Sequence, residues 1–388
     1  MSKSRREFLN ASIRAGAAMS ALAHPGLAAA LALPSGPSTP VRSARGALSI
    51  LILGGTSFIG PHVIAYAMNR GHSVTTFTRG RTKPTVHAVL FEDVEQLIGD
   101  RENDLEALRG RTWDAVIDNS GRRVEWTERS AQLLRDNVDL YLYTSSTGVY
   151  YPYLGSDIDE RTELVLEVPG GLDEEQALEY GYGVMKANSE LAARSTFGDE
   201  RSIVVRPTYI MGPGDHTDRF TYWPVRLSRG GEVLVPGRSA DPVQYVDVRD
   251  VAGWMIRLIE DRVVGTFNVV GPSSATGMHA FVHGAHAAFS SPASFVMIPD
   301  YDFLTQHRVG FAIPWIMPIG NNAGSALAST RLAVQNGLTF TPLAESVRDI
   351  HEWWHSDAVA EDRRVNMVSG QRSLMAREAA IIAAWKAL

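Results

Sequence analysis

Leu48-Ser49-Ile50-Leu51-Ile52-Leu53-Gly54-Gly55-Thr56-Ser57-Phe58-Ile59-Gly60 is the stretch whose reading decides the fold. The apolar run from Leu48 to Leu53 has the length and composition of a strand buried on both faces of a parallel sheet. Gly54 and Gly55 end it, and Phe58, Ile59, Val63, Ile64, Ala67 and Met68 then recur on one helical face. Strand, glycine turn and helix N-terminus together form an anion site, because free backbone N–H groups and the helix dipole converge there. Gly54, Gly55, Thr56, Ser57, Phe58, Ile59 and Gly60 are therefore expected to cradle a dinucleotide pyrophosphate, with Gly60 letting the helix pack closely on its strand.

Outward from that turn, strands and helices alternate as a doubly wound parallel sheet requires. The second strand, 73–78, ends in Arg79-Gly80-Arg81 instead of the acid that would hold a ribose 2′-hydroxyl. Arg79 suits a 2′-phosphate or an adenine face, which leaves NAD or NADP open and leans toward NADP. A third strand is expected over 95–100 and a helix near 104–109, with Asp100 and Arg101 placed for an adenine contact. The fourth strand, 113–118, opens into Asn119, Ser120 and Gly121, small polar residues suited to line a cofactor cleft. A helix around 124–137 leads to a fifth strand over 140–145.

The bulk numbers allow this architecture and exclude others. With 388 residues, 45% hydrophobic and 21% charged, the chain has room for one large or two modest domains. A net charge of −6 gives no basic footprint for nucleic acid. Before the first strand, Ser4-Arg5-Arg6-Glu7-Phe8-Leu9 is a twin-arginine pattern, followed by a mildly apolar Ala-rich stretch with cleavage options after Ala30 or Ala32. Residues 1–32 thus read as an export signal for the twin-arginine (Tat) translocase and 33–46 as a linker, giving a periplasmic or secreted protein. The low hydrophobicity argues against a permanent membrane anchor. That pathway moves folded proteins, cofactor included, and the absence of cysteine fits either compartment.

Chemistry is suggested after the fifth strand. It opens into Thr144-Ser145-Ser146-Thr147-Gly148-Val149-Tyr150, and Tyr182-Gly183-Val184-Met185-Lys186 begins a helical stretch to about 195. Tyrosine and lysine four apart share a helix face. An ammonium beside a phenol stabilises phenolate, so the tyrosine can exchange a proton with a substrate hydroxyl near neutral pH. A serine hydroxyl from the strand end can orient the same substrate oxygen. Taken alone the pair means little, since a packed Tyr with a solvated Lys gives the same spacing. Behind a glycine turn and a Ser-Ser strand end it gains meaning.

In these motifs the chain resembles an extended short-chain dehydrogenase/reductase of the NAD-dependent epimerase/dehydratase family, well over 48–272 and loosely beyond. The resemblance implies a Rossmann-type domain at 47–211 and a smaller substrate lobe in 212–388, with 243–271 returning to the Rossmann core. It implies Ser146, Tyr182 and Lys186 as catalytic residues, Thr144, Pro207, Thr208 and Ile210 beside the nicotinamide, and a homodimer through a two-helix face. Ser57 stands where many such loops carry glycine, and the 146–182 interval is longer than usual, reading as a loop over the substrate. Tyr150, His216, Arg219 and Tyr222 are candidate contacts to a sugar or polyol, although a capping loop that buries its aromatics would look the same.

Export adds a constraint: with no pool outside the cytoplasm to recycle nicotinamide, an epimerase or dehydratase that regenerates a bound cofactor fits better than a simple dehydrogenase. Rivals are an NADP-dependent ketoreductase, a non-catalytic Rossmann binding protein, and a zinc hydrolase using His351, Glu352 and His355, with Glu361 available as a further ligand. The amphipathic pattern from Leu343 to His355 favours an ordinary packing helix, and no metal is expected.

Overall fold

The first strand alternates between two cores. In β1 (Ser49–Leu53), Ile50 and Ile52 face one hydrophobic cluster and Leu51 and Leu53 the other, all fully buried. The structure, a computed structural model, describes residues 46–119 and 121–388. The expected export signal, nearly all of the linker and Ser120 lie outside the described residues.

Helix α1 (Ile59–Asn69) follows the glycine turn, then β2 (Ser73–Thr78) and β3 (Glu95–Ile98). Next come β4 (Trp113–Asp118), α2 (Val124–Leu134), β5 (Val138–Thr144), α3 (Glu174–Phe197) and β6 (Ser202–Pro207). Short β7 (Ile210–Met211), α4 (Tyr222–Leu227), β8 (Gly231–Pro236), β9 (Val246–Asp247), α5 (Val248–Asp261) and β10 (Gly265–Val269) complete the part that returns to the sheet. The seven-stranded sheet has the order β10-β6-β5-β4-β1-β2-β3 and is parallel throughout, a Rossmann-type doubly wound sheet. The strand order reverses between β1 and β4, and ligands bind at such a switch point, outside the carboxyl ends of the strands.

Strand and helix ends shift by two or three residues from the sequence expectation at β3, α2 and β5, and two further details differ. Residues 106–108 form only a short 3-10 turn where a helix was expected, with Leu108 its one fully buried residue. Helix α3 begins eight residues before Tyr182, with Asp173 capping it through Gln176 N–H.

A smaller lobe gathers around β8, which pairs in parallel with β11 (Ala293–Ile298). Its own core includes Trp223, Phe281 and Trp315, all fully buried. Helices α6 (Met278–His286), α7 (Tyr301–Gln306), α8 (Arg331–Gln335), α9 (Leu343–Trp354), α10 (Glu361–Ser369) and α11 (Leu374–Lys386) finish the chain.

The segment between β2 and β3 ties this lobe to α1. Val86 packs against the cluster of Trp353 and Trp354 and closes on Gly214, where an added Cβ would meet it at 3.2 Å. His62 on α1 is buried, and burial pushes its imidazolium down to about 4, so the ring is neutral at neutral pH. Nε2–H donates to the Pro213 carbonyl at 2.9 Å, which leaves Nδ1 to accept from His87 Nε2 at 3.3 Å.

Beneath the carboxyl end of β4, Asp118 is fully buried and closes on the Arg101 guanidinium, which also donates to the Trp126 carbonyl and Ser130. Tyr141 donates to the same carboxylate at 2.7 Å. Burial alone would raise the Asp118 carboxyl, but Arg101 and Tyr141 hold it below the usual carboxylate range. Its contribution to stability is therefore present above the ordinary aspartate value and is lost as pH falls through the lower folded one. Asp118→Asn leaves Arg101 unpaired in the interior and is expected to cost about 3–5 kcal/mol, read as a lower urea midpoint.

Candidate active site

Two glycines bring the site together. An added Cβ at Gly183 would lie 2.6 Å from the Gly148 carbonyl, and one at Gly148 would lie 2.7 Å from the Tyr182 ring. Helix α3 can therefore press its Tyr182 face onto the short turn 147–150 that follows β5. Ser146 caps that turn, its Oγ accepting from Gly148 N–H at 3.0 Å, and it also hydrogen-bonds the Tyr182 hydroxyl. One turn further along α3, Lys186 is buried and donates to the Thr144 carbonyl at 3.0 Å and the Gly121 carbonyl at 3.2 Å. Ser146, Tyr182 and Lys186 thus converge where β4 and β5 end.

Burial pushes the Lys186 ammonium down to about 8, while Asp118 and Glu190 beneath it support the charge. Tyr182 is raised by its burial, and the Ser146 hydrogen bond together with the Arg219 and Arg122 charges pulls it back. The cations that act on the phenol are thus Arg219 and Arg122, with Lys186 one helical turn away.

The glycine turn stands next to this group. Gly54 and Gly55 hold φ of 102° and 104°, and Phe58 is a non-glycine at φ 40°, a strained backbone of the kind found at ligand loops. A Cβ on Gly60 would fall 2.3 Å from the Gly55 backbone, so only glycine allows α1 to start here. Thr56, Ser57 and Ile59 complete the turn, with Ser57 exposed. Asn119 accepts from Thr144 Oγ1 at 2.6 Å, while its amide Nδ2 is buried with no partner. An unpaired buried donor beside a glycine cradle fits a dinucleotide that supplies the missing acceptor.

Two of the other expected contacts, Arg101 and Tyr150, are engaged elsewhere. Arg101 does not face the cleft, because a buried guanidinium needs a carboxylate and Asp118 provides it. Asp100 turns back on its own loop, accepting from Glu102 N–H. The Tyr150 hydroxyl accepts from Arg206 and donates to Asn268, each at 2.7 Å, which removes it from substrate. Pro207 ends β6 in the interior, Thr208 N–H donates to the Val269 carbonyl, and Ile210 packs partly on the sheet core.

On the lobe side, His216 is exposed and the partly buried Arg219 lies over the Tyr209 ring. Partial desolvation of its ring and the Arg219 and Arg122 charges lower the His216 imidazolium, against the Asp215 carboxylate, which supports it. Beyond Arg219 a cavity of about 440 Å³ lies against α10 and α11, lined in part by Asp218, Tyr222, Arg363 and Met367. Trp223 is core, donating to the Ile313 carbonyl, whereas the buried Tyr222 hydroxyl lines the cavity and has no partner. Arg363 holds this wall by pairing with Asp218.

Sequence reading missed Arg122. It follows the polar triplet after β4 and interacts electrostatically with Arg79 and Tyr182, and only the fold brings those three together. His351 and His355 sit on α9, His351 edge-on to Phe289 and His355 Nδ1 donating to the His351 carbonyl. Among the described residues no group of three metal-ligating side chains forms.

The human epimerase family protein SDR39U1 with NADPH superposes with a TM-score of 0.52 at 22% identity, over 78% of this chain and 99% of that one. The Bordetella bronchiseptica enzyme WbmH with NAD+ gives a TM-score of 0.56 at 16% identity, over 81% and 100%. In sequence, the chain is 26% identical to bovine epimerase family protein SDR39U1 over 270 residues, 65% of this chain and 84% of that protein. Residues 50–271, from the start of β1 to just past β10, match the NAD dependent epimerase/dehydratase family, and the chain belongs to that family.

Proposed function

We propose that the protein is an NAD(P)-dependent epimerase/dehydratase-type oxidoreductase acting on a hydroxyl of a sugar or polyol. The observation that carries this reading is the meeting of Ser146, Tyr182 and Lys186 at the end of β5, beside the glycine turn. A bound nicotinamide supplies the hydride acceptor. Gly54, Gly55 and Gly60 would hold its pyrophosphate, Asn119 and Thr144 would line its cleft, and Arg79 would meet the adenosine end. Ser146 orients the substrate hydroxyl, and Tyr182, acting as phenolate, takes its proton and becomes the neutral phenol. Lys186, Arg122 and Arg219 stabilise the phenolate that precedes this transfer. The cavity beyond Arg219 receives the rest of the substrate, with the Tyr222 hydroxyl finding its partner there.

The twin-arginine segment supports a periplasmic site of action and a cofactor that is kept bound and regenerated within each cycle. A second reading, an NADP-dependent ketoreductase, is favoured by Arg79 and Arg122. Like charges held near one another call for an anion between them, which a 2′-phosphate would be.

The deciding experiment denatures the purified protein and identifies any released nucleotide. A stoichiometric nicotinamide dinucleotide is the expected result, and its absence with turnover on added NADPH would select the ketoreductase. Tyr182→Phe should lower kcat about 10³-fold while NADPH affinity, read by fluorescence, stays unchanged. A variant that retains full activity would remove the mechanism.

The Lys186 ammonium is present below about 8 and lost above it. The rate should therefore fall as pH rises through that value, and Lys186→Met should lower kcat about 10²-fold and erase that limb. Arg79→Ala should weaken NADPH binding about tenfold or more and leave NADH nearly unaffected, measured by parallel titrations.

A further inference from the structure

A second cavity, of about 490 Å³, opens between the loop 272–276 after β10 and the segment 326–335 that leads through α8. It shares no lining residue with the cavity beyond Arg219. Hydroxyls dominate its polar wall, from Ser273, Ser274, Thr276, Ser329 and Thr330, and Arg331 brings the charge. No carboxylate lines it.

Arg331 is exposed at the rim of this cavity and, unlike Arg101, Arg206, Arg226 and Arg363, closes on no Asp or Glu. Its guanidinium makes no hydrogen bond among the described residues, and Asp159, which feels its charge, is paired with Arg161. The Thr330 hydroxyl beside it is buried with no partner. Such a group is costly to leave unmet.

The wall is also fixed in place. Gln244 clamps Ala328 from both sides, its amide donating to the carbonyl at 2.7 Å and its oxygen accepting from the N–H at 3.3 Å. Val243 N–H donates to the Thr276 carbonyl at 3.0 Å, which joins the two sides of the cavity. The volume lies within the ordinary range for small-molecule sites.

We propose that this cavity is a second ligand site, outside the cofactor cleft, for the oxyanion of a small metabolite, a phosphate ester or a carboxylate. Arg331 is its charge partner, and Thr330 with the neighbouring hydroxyls donates the remaining hydrogen bonds. The site adjoins the loop 151–172, because Ser329 N–H donates to the Ile158 carbonyl at 2.7 Å and Ala328 bridges Ile158. A ligand held there stiffens the segment that runs past Glu160 to the active site.

The test uses protein saturated with NADPH, which covers Arg79 and Arg122, and titrates inorganic phosphate and, separately, acetate by calorimetry. Phosphate should bind in the range of about 1 mM, and acetate binding as well would extend the class to carboxylates. Arg331→Gln should weaken phosphate about tenfold and Thr330→Val severalfold, both with NADPH affinity intact as the measure of folding. Arg79→Ala should leave phosphate binding unchanged. No binding of either anion up to about 50 mM overturns the proposal, as does phosphate binding that Arg331→Gln leaves untouched.

Discussion

Everything at the candidate site rests on how closely α3 approaches the turn after β5. A helix backbone can press onto a neighbouring carbonyl only where neither side carries a Cβ, and Gly148 and Gly183 meet that condition. The contact fixes the height of α3 on the sheet. Tyr182 then falls over Ser146 and Lys186 falls over the ends of β4 and β5. A methyl group at either glycine would lift the helix and separate the phenol from the serine.

Under this surface the protein spends buried charge on both flanks of Lys186. On one flank, Arg101, Asp118 and Tyr141 form a closed group. On the other, Glu190 accepts from Ser145 and from Arg206, which reaches on to Tyr150 and Asn268, and Glu160 accepts from Asn268 N–H. Such networks bring specificity more reliably than stability, since a hydrophobic replacement of the same shape often does as well energetically. Here each flank sets a negative field under a lysine that burial has weakened, and each holds the end of a strand that carries a site residue.

The fold was legible because its signals are local. A run of apolar residues, a glycine turn and period-3.6 helices identify a parallel sheet without knowledge of partners, and β1, β2 and β4 fall within a residue of where the pattern places them. The core of the site was legible for the same reason: Ser146 ends a strand, and Tyr182 and Lys186 share one turn of helix. What escaped was the pairing of groups distant in sequence. Arg101 looks like a cleft residue until Asp118 is seen to need it, and Tyr150 looks like a substrate contact until Arg206 and Asn268 claim its hydroxyl. Arg122 gave no local sign at all. Tyr222 and Trp223 show the limit most directly, since both are buried in one core and only Tyr222 also borders a cavity.

The segment that leaves β2 past Arg79 is fastened at its far end to the loop carrying His216 and Arg219, through His87, His62 and the Pro213 carbonyl and through Val86 on Gly214. The adenosine corner and the substrate mouth of the cleft are thus mechanically one piece. Occupancy at either end biases the position of the other, and thermodynamic reciprocity requires that the dinucleotide and the substrate alter each other's affinity by the same factor. Under the proposed export, such cooperativity would keep the cofactor gripped more tightly whenever substrate is present.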